Sequence, residues 1–448
     1  MALSHSHPWH QLVDDRPADG VFRVHSRLYT DPEVFEREQR QVFGKTWVFL
    51  GLESQLPDPR RWLSTRIGRT QVIVTRDGEG RLHAHLNACR HKGAMLVRQE
   101  AGTARQLVCP YHGWVYDLAG KCASIKDERT GNYAAGFGDD HDLVPLPRFA
   151  TYKGLMFGSL SADVPPLETA LGEVRPLLDL ALEQGPDGME FVPGRIVFRY
   201  RANWKLQLEN GTDFYHLTST HAAFMDVMNQ RRQGAGNQEA RQFDWHKRLQ
   251  QRAGTFHFDY GHAAVWMDQA EAEKRPIYPA IEEIRQRVGG VRADWMLKVR
   301  GISLFPNMQI ADGASLTLRT FHPLAVDLTE VRYYCLAPVG EAEALRAWRL
   351  RQFEDFFNVS GLATPDDVVI YEDCQRSFGT SPGWLQGAAR GHGLLREGGN
   401  EASEELGLRP RASVMGDFRV QNETTLHPAY REWRRLMAAG SEEATVDV

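Results

Sequence analysis

The sequence is poor in cysteine and has no long apolar run. Its 448 residues include 5 cysteines, an odd number too small for the disulfide framework of a secreted domain. The opening residues MALSHSHPWHQLVDD lack the basic stretch and the apolar run of a signal peptide. No apolar stretch approaches the roughly 20 residues that a membrane helix needs. These absences predict a cytoplasmic protein that does not associate with a membrane.

The sequence also lacks a surplus of positive charge. It has 53 lysines and arginines against 58 aspartates and glutamates, a formal net charge of −5. Such a balance gives no sign of a nucleic-acid-binding surface, so we expect no nucleic-acid partner. Hydrophobic residues make up 42% and charged residues 25%, as in ordinary globular proteins. The length suggests roughly two to four domains.

Short strand-like segments recur along the chain. TQVIVTRDGEGRLHAHLN contains two of them around Asp77 and Gly78, a pattern typical of a β-hairpin. Asp31 and Pro32 predict the capped start of a helix in the N-terminal segment. Later strand candidates follow one another without regular helical crossovers, which favours an antiparallel sheet; they are ISLFPNMQIAD, ASLTLRTFHPL and EVRYYCLAPV. The pattern indicates an α+β fold in which residues 46–165 form a small all-β unit.

Two of the cysteines stand beside histidines. Cys89 and His91 form a Cys-x-His pair, and Cys109 and His112 form a Cys-x2-His pair that starts after 17 intervening residues. A structural zinc site is one interpretation, but zinc fingers usually pair Cys with Cys and His with His. A Rieske [2Fe–2S] cluster holds one iron by two thiolates and the other by two imidazoles, which suits the mixed pairs. The block closely resembles the Rieske signature, with Lys92 where that family often has Arg.

A second polar cluster lies in NWKLQLENGTDFYHLTSTH. Asn210, Asp213 and His216 are three residues apart, which predicts that a helix presents them along one face. His221 would be rotated away on an ideal helix, and it reaches the same metal only if the helix distorts or ends. Alone, two such histidines are more typical of buried hydrogen-bonding groups. An iron–sulfur module upstream, however, needs an electron acceptor, and two histidines with one carboxylate form the facial triad of non-haem Fe(II) oxygenases.

The carboxylate of such a triad has to come from elsewhere in the chain. GLATPDDVVIYEDCQ offers Asp366 and Asp367. Thr364, Pro365 and Asp367 also fit the N-cap, first position and capping-box acid of a helix. Negative charge at a helix start needs no metal to explain it. Considered without any relative, the residues favour capping.

The whole chain resembles the large, catalytic α-subunit of Rieske non-haem iron aromatic-ring-hydroxylating dioxygenases. Within that family it is most similar to the benzoate, toluate and anthranilate group, through the segments ENGTDFYH, RADWM, RQFEDFFNVSGLATPDD and EDCQRSF. The resemblance implies that Asp367 is the iron-binding carboxylate, with Asp366 as the alternative. It also implies that Asp213 bridges His216 to a Rieske histidine, matching His112, on the neighbouring subunit. We place Asn210 beside Asp213 among the catalytic residues.

The resemblance further implies the domain organisation. Residues 1–45 form an N-terminal helical segment that packs on the catalytic domain, residues 46–165 form the Rieske domain, and residues 166–448 form the catalytic domain. The catalytic domain is expected to be helix-grip-like, with a curved antiparallel sheet covered by helices. The chain has no dinucleotide-binding fingerprint of its own. An NADH-dependent flavin and iron–sulfur reductase, with or without a ferredoxin, is therefore implied as a partner. The expected assembly is a trimer of α-subunits, alone or as α3β3 with a small β-subunit.

The expected reaction is the O2- and NADH-dependent cis-dihydroxylation of a small aromatic carboxylate such as benzoate or anthranilate. The cofactors implied are the Rieske [2Fe–2S] cluster and a mononuclear Fe(II). The alternatives are a Rieske monooxygenase of the salicylate hydroxylase or O-demethylase type, an electron carrier that uses only the Rieske domain, and a zinc-bound interaction module.

Two departures from the family group concern the substrate pocket. Phe214 stands where the group often has Gly, and Ala222, Ala223 and Phe224 stand where it often has Trp-Asn-Tyr. These changes leave the identity of the aromatic acid open. The residues expected in the pocket wall are Phe214, Phe224, Met225, Met228 and Met308.

Overall fold

The computed structural model describes residues 9–138, 140–233, 250–313, 315–418 and 422–439. The chain divides into two compact units. The smaller unit is Phe43–Leu167, and the larger unit combines Met1–Val42 with Glu168–Val448. In the described part of the chain, no helix has both the length and the apolar character to cross a membrane.

The N-terminal segment of the larger unit forms a small hairpin and two short helices. These elements are β1 (Val13–Arg16), β2 (Val21–His25), α1 (Arg27–Thr30) and α2 (Pro32–Glu38). The Asp31 side chain accepts a hydrogen bond of 2.9 Å from the Glu33 N–H at the start of α2, which confirms the predicted cap. The buried carboxylate of Glu38 accepts bonds of 2.7 Å from Lys205 and Trp433, which fixes α2 within the larger unit.

The smaller unit consists mainly of short strands. They are β3 (Val48–Leu52), β4 (Arg61–Ile67), β5 (Thr70–Arg76), β6 (Leu82–Leu86), β7 (Ala101–Thr103), β8 (Leu107–Val108), β9 (Val115–Tyr116), β10 (Cys122–Ser124), β11 (Arg148–Tyr152) and β12 (Leu155–Ser159). They form antiparallel sheets in the orders β6-β5-β4-β7, β10-β9-β8 and β11-β12-β3. The predicted hairpin is present as β5 and β6, and the Asp77 carboxylate accepts from the N–H groups of Glu79 and Arg81 in its turn.

The remainder of the larger unit combines helices with further strands. The helices are α3 (Leu167–Leu171), α4 (Arg175–Leu182), α5 (Trp204–Asn210), α6 (Leu217–Thr220), α7 (Ala222–Gln233), α8 (Ile281–Val288), α9 (Gly290–Leu297), α10 (Glu343–Phe357), α11 (Thr364–Thr380), α12 (Glu401–Glu405) and α13 (Leu426–Ala438). The strands are β13 (Met189–Phe191), β14 (Ile196–Tyr200), β15 (Arg252–His257), β16 (Ala263–Met267), β17 (Val299–Leu304), β18 (Met308–Asp312), β19 (Leu316–Ala325), β20 (Leu328–Pro338), β21 (Trp384–Leu385), β22 (Arg396–Glu397) and β23 (Ala412–Asp417).

A large antiparallel sheet forms the centre of this unit. Its order is β13-β20-β19-β18-β17-β16-β15-β23-β22, and β14 also pairs with β20. The three strand candidates after position 300 correspond to β17 with β18, to β19 and to β20, so the predicted antiparallel arrangement is confirmed.

Helices cover both faces of this sheet. On one face, Gln309 donates a hydrogen bond of 2.9 Å to the Leu208 carbonyl of α5. On the other face, Trp295 of α9 packs against Trp266, with ring centroids 5.2 Å apart. Directly paired residues point to the same face. The side chains of Ser303, Gln309, Arg319 and Tyr333 therefore form one polar row on the α5 side of the sheet.

Candidate metal centres

The two Cys–His loops of the smaller unit share one backbone design. In the first, the Gly93 N–H donates to the Cys89 carbonyl at 2.8 Å, and the Cys89 N–H donates to the Ala94 carbonyl at 2.8 Å. In the second, the corresponding bonds join Gly113 to Cys109 at 3.0 Å and Cys109 to Trp114 at 2.7 Å. Both glycines have φ of 72°, a left-handed conformation that side chains disfavour. Each loop is therefore a tight turn that only glycine closes without strain.

The thiols and the imidazoles of these loops lie in different environments. Cys89 and Cys109 are each 3% exposed and belong to the apolar core of the smaller unit. His91 is exposed, and His112 is partly exposed, with ring centroids 4.4 Å apart. Trp114 stacks on the His91 ring at 5.1 Å. One end of the site is therefore dry and the other end faces solvent.

The buried thiols fit a metal cluster. Burial raises the pKa of Cys89, and the hydrogen bond from the Tyr116 hydroxyl to its sulfur, at 3.2 Å, opposes that rise. A thiol this buried becomes a thiolate readily only beside a cation, because low polarity disfavours an isolated negative charge. The two buried thiols could bind one iron of a Rieske cluster, and the two more exposed imidazoles could bind the other iron.

The second cluster does not lie on one continuous helix, so the predicted single helical face is wrong. α5 ends at Asn210, and α6 begins only at Leu217. Between them the Asp213 carboxylate accepts a hydrogen bond of 2.6 Å from the Tyr215 N–H, a local turn that competes with helix formation. His216 therefore precedes α6, and His221 follows it.

This break brings two histidines and one carboxylate together. The ligand atoms of His216, His221 and Asp367 all lie within 4.8 Å of one another. Oδ1 of Asp367 is 3.6 Å from Nε2 of His216 and 3.3 Å from Nε2 of His221. Burial lowers the pKa of His216, but the hydrogen bond to Asp213 and the charge of Asp367 outweigh it and raise that pKa. The site therefore favours a positive charge at its centre, as a site for a divalent metal should.

Each imidazole has a second carboxylate near its other ring nitrogen, Nδ1. Nδ1 of His216 is 3.1 Å from Asp213, and Nδ1 of His221 is 3.4 Å from Asp366. Because an ionised carboxylate only accepts, each Nδ1 is the donor and each Nε2 offers its lone pair to the centre. Carboxylates in this position commonly orient metal-bound imidazoles. The neighbours Asp366 and Asp367 thus have different positions, and the geometry favours Asp367 as the ligand.

The capping interpretation of this region does not hold in the structure. Thr364 is the first residue of α11, and its hydroxyl donates to the Phe357 carbonyl at 3.0 Å instead of capping the helix. Oδ1 of Asp367 instead accepts a hydrogen bond of 3.1 Å from Nδ2 of Asn210. The same nitrogen of Asn210 lies 3.2 Å from Nε2 of His216. The predicted catalytic residues Asn210 and Asp213 therefore both contact the candidate iron ligands.

The expected pocket residues lie in different places. Phe224 is buried and packs against Phe356, whose ring is 5.9 Å from that of His221. Phe214 packs near Phe418, with ring centroids 6.1 Å apart. Met308 is 1% exposed and alternates with Gln309, so it faces the sheet side away from α5. The side chains of Met225 and Met228 lie outside the described residues.

Three features of these centres were not predicted from the sequence. They are the Tyr116 hydroxyl on the Cys89 sulfur, the contact of Asp366 with His221, and the position of Phe356 beside that histidine. The adjacent pair Asp366–Asp367 was a signal for the second feature, because consecutive residues at a helix start point in different directions.

Two protein-family models match the chain. The Rieske [2Fe-2S] domain matches residues 46–147. The ring hydroxylating alpha subunit (catalytic domain) matches residues 190–439.

Individual proteins match over nearly the whole length. The chain is 36% identical to toluate 1,2-dioxygenase subunit alpha of Pseudomonas putida, over 95% of this chain and 93% of that protein. It is also 36% identical to the 2-halobenzoate 1,2-dioxygenase large subunit of Burkholderia cepacia, over 96% of this chain and 92% of that protein. Among solved structures, naphthalene 1,2-dioxygenase from Rhodococcus sp. bound to indole has a TM-score of 0.80 at 27% identity, covering 94% of this chain and 95% of that chain.

Proposed function

Because the chain belongs to the family of ring-hydroxylating dioxygenase alpha subunits, we propose that it catalyses the cis-dihydroxylation of a small aromatic carboxylate such as benzoate or anthranilate. The observation that carries this proposal is the convergence of His216, His221 and Asp367 beside the aromatic side chain of Phe356. Relatives named for toluate and 2-halobenzoate support an aromatic acid as the substrate.

The family match confirms the predicted oxidoreductase class and both predicted cofactors. The smaller unit carries a Rieske [2Fe–2S] domain, and the larger unit carries the catalytic domain of a non-haem iron oxygenase. This decides against the electron carrier and the zinc-bound interaction module. We propose Cys89, His91, Cys109 and His112 as the cluster ligands, and His216, His221 and Asp367 as the iron ligands.

The proposed reaction balances with two electrons and two protons. The ring gains two hydroxyl groups, one oxygen atom of O2 in each, and NADH supplies the two electrons through a separate reductase. When bound, the cluster delivers electrons singly and the iron activates O2. Asp213 and Asp366 hold the imidazoles so that both Nε2 atoms face one point. Phe224 and Phe356 provide an apolar wall that excludes water from one side of that point.

The proposed partners follow from the family. The relatives are named as alpha or large subunits, which supports a small β-subunit and an α3β3 assembly, with an α-trimer as the alternative. We propose that Asp213, which contacts His216, also reaches His112 of the partner subunit and couples the two centres. A monomer would then be inactive, and a fully active monomer would contradict this coupling. We propose a cytoplasmic location, because the proposed reaction depends on NADH and a reductase.

Oxygen labelling tests the proposed reaction directly. The purified enzyme is given ¹⁸O2, NADH and a flavin and iron–sulfur reductase, with benzoate, anthranilate, salicylate and phthalates as separate substrates. Two labelled oxygens in one product molecule support dioxygenation, and one labelled oxygen would assign the enzyme to the monooxygenases instead. No turnover of any aromatic acid, in a preparation that oxidises a neutral arene, would overturn the substrate class.

A further inference from the structure

One buried arginine has no acidic partner among the described residues. Four described arginines are buried, each with 7% or less of its surface exposed; they are Arg275, Arg300, Arg319 and Arg349. Arg275 and Arg300 both pair with Asp312, and Arg349 pairs with Glu341 at 2.6 Å. In the part of the chain that the structure describes, no carboxylate lies within 4.0 Å of Arg319. Arg319 therefore differs from the other buried arginines.

The polar atoms of Arg319 are also incompletely satisfied. Its Nε is buried and has no hydrogen-bond partner among the described residues. Burial of an unpaired charge is unfavourable in general, which is why buried charges are normally paired. An anion from outside the chain would remove this imbalance, and Arg is the side chain best suited to a planar carboxylate.

The position of Arg319 relates it to the iron site. It lies on β19 between Gln309 and Tyr333, in the polar row on the sheet face that α5 covers. Its guanidinium carbon is 5.5 Å from the ring centroid of Tyr333 and 5.5 Å from that of Phe357. Tyr333 and Phe357 therefore both border the guanidinium.

Aromatic side chains connect this guanidinium to the iron ligands. Phe357, which flanks Arg319, contacts Phe356 with ring centroids 4.8 Å apart. Phe356 lies 5.9 Å from the ring of His221 and 5.0 Å from that of Phe224. Phe357 and Phe356 therefore connect a cationic group to a candidate metal ligand, and Phe224 packs against Phe356. This arrangement suits a flat molecule with an anionic group at one end and a ring at the other.

We propose that Arg319 binds the carboxylate of the aromatic acid and thereby selects anionic over neutral rings. This inference rests on the proposed function, since it needs an aromatic acid as the substrate. It assigns to the substrate a residue that lies on the central sheet, away from the ligand-bearing segments in the sequence.

The test compares binding and turnover in R319M and R319K. The apolar variant R319M keeps much of the side-chain volume and removes the charge, whereas R319K keeps the charge and loses the paired donors. Binding of benzoate to the isolated enzyme is measured by titration calorimetry, and turnover is measured with benzoate and with toluene, a neutral ring. We expect R319M to weaken benzoate binding by at least about 100-fold, R319K to recover part of it, and toluene turnover to change little.

Thermal unfolding of R319M and R349M provides the matched control. Removal of an unpaired buried charge should leave the melting temperature of R319M unchanged or raised, whereas R349M strands Glu341 and should melt at a lower temperature. R349M should nevertheless retain the preference for benzoate over toluene.

The outcomes separate the two proposals. If the wild type binds and converts benzoate and R319M does so equally well, the role of Arg319 is overturned and the substrate class stands. If the wild type oxidises toluene but neither binds nor converts benzoate, the substrate class fails, and the role of Arg319 fails with it. A parallel loss of benzoate and toluene turnover, with a lower melting temperature, would assign Arg319 a structural role instead.

Discussion

The two candidate metal centres of this chain are built in opposite ways. Each Cys–His loop of the smaller unit closes through hydrogen bonds between residues four or five apart, so the loop carries its own geometry. The candidate iron site instead joins residues far apart in the sequence, as the bond between Asn210 and Asp367 across 157 positions shows. A centre of the first kind depends on local turns, and a centre of the second kind depends on the packing of the larger unit.

Because of this difference, different substitutions should disturb the two centres. A change in one glycine should disturb the cluster without reaching the iron site, and a change in one carboxylate should do the reverse.

Loss of the carboxylate ligand should have the largest effect. In Asp367→Ala, we expect product formation to fall by more than about 100-fold, beyond the 10- to 100-fold typical when only a supporting residue is lost. The visible absorption of the cluster should persist, because its ligands lie in the other unit. The control is Asp373→Ala on the same helix, whose side chain is 52% exposed and which should remain active. Retention of the mononuclear iron in Asp367→Ala would contradict the assignment.

Acid should lower the stability of both units, whereas each of the metal-site substitutions affects one metal centre. Burial lowers the pKa of His262 in the larger unit to about 4 and that of His85 in the smaller unit to about 4. In the unfolded chain, histidine titrates near pH 6.5. The free energy of unfolding is therefore unaffected by these histidines above pH 6.5, and it decreases as the pH falls towards 4, because the unfolded chain takes up protons that the folded chain does not. The loss is about 3 kcal/mol for His262, whose Nε2 donates to the Ala170 carbonyl while Nδ1 accepts from the Phe305 N–H.

Urea unfolding between pH 7.5 and pH 4.5 measures this loss. His262→Gln cannot take up the proton, so its stability should depend less steeply on pH than that of the wild type, whatever its stability at neutral pH. An unchanged slope would show that His262 does not titrate in this range.

Loss of the supporting carboxylates should have an intermediate effect that is confined to the iron site. We expect Asp213→Asn to weaken Fe(II) binding by about 10- to 100-fold and Asp366→Asn to weaken it less. Asp213 lies closer to its histidine, at 3.1 Å against 3.4 Å. Competition with a chelator measures the affinity independently of electron transfer. A larger loss of Fe(II) affinity in Asp366→Asn than in Asp213→Asn would contradict this order of the two carboxylates.

The smallest effects are expected in the cluster loops. Gly93→Ala and Gly113→Ala each force alanine into the left-handed region, at about 1–2 kcal/mol. Gly113→Ala should be the more harmful, because its new methyl group would lie 3.3 Å from Lys126, whereas at Gly93 no atom of the described residues lies within 4 Å. Bleaching of the cluster in urea reports the loss. Gly136→Ala in the same unit has open space around it and should be neutral, and equal behaviour of all three variants would contradict the strain argument.

Sequence reasoning succeeded where structure is local. The hairpin of β5 and β6 and the cap of α2 depend on residues a few positions apart, and each is recognisable from its spacing. The succession of strands in the larger unit also predicted an antiparallel sheet.

Sequence reasoning failed where a side chain competes with the backbone. The hydrogen bond from the Tyr215 N–H to Asp213 interrupts the helix that the three-residue spacing predicted. Thr364 bonds to Phe357, a contact that depends on the approach of α10 and α11. Arg319 gave no signal at all, because only the sheet register places it opposite Tyr333.

The fixed orientation of both imidazoles has a consequence for metal selectivity. With Nδ1 of His216 and of His221 each held by a carboxylate, the three ligands are assembled before any ion arrives. Preassembly favours every divalent ion that accepts imidazole and carboxylate ligands, so the affinities of this site should follow the Irving–Williams order, in which Zn²⁺ binds more tightly than Fe²⁺. Enzyme prepared without added iron should therefore acquire zinc at this position while its red cluster stays intact. The specific activity of a preparation would then depend on the metal ions to which the enzyme had been exposed, as well as on the fraction of enzyme that is folded.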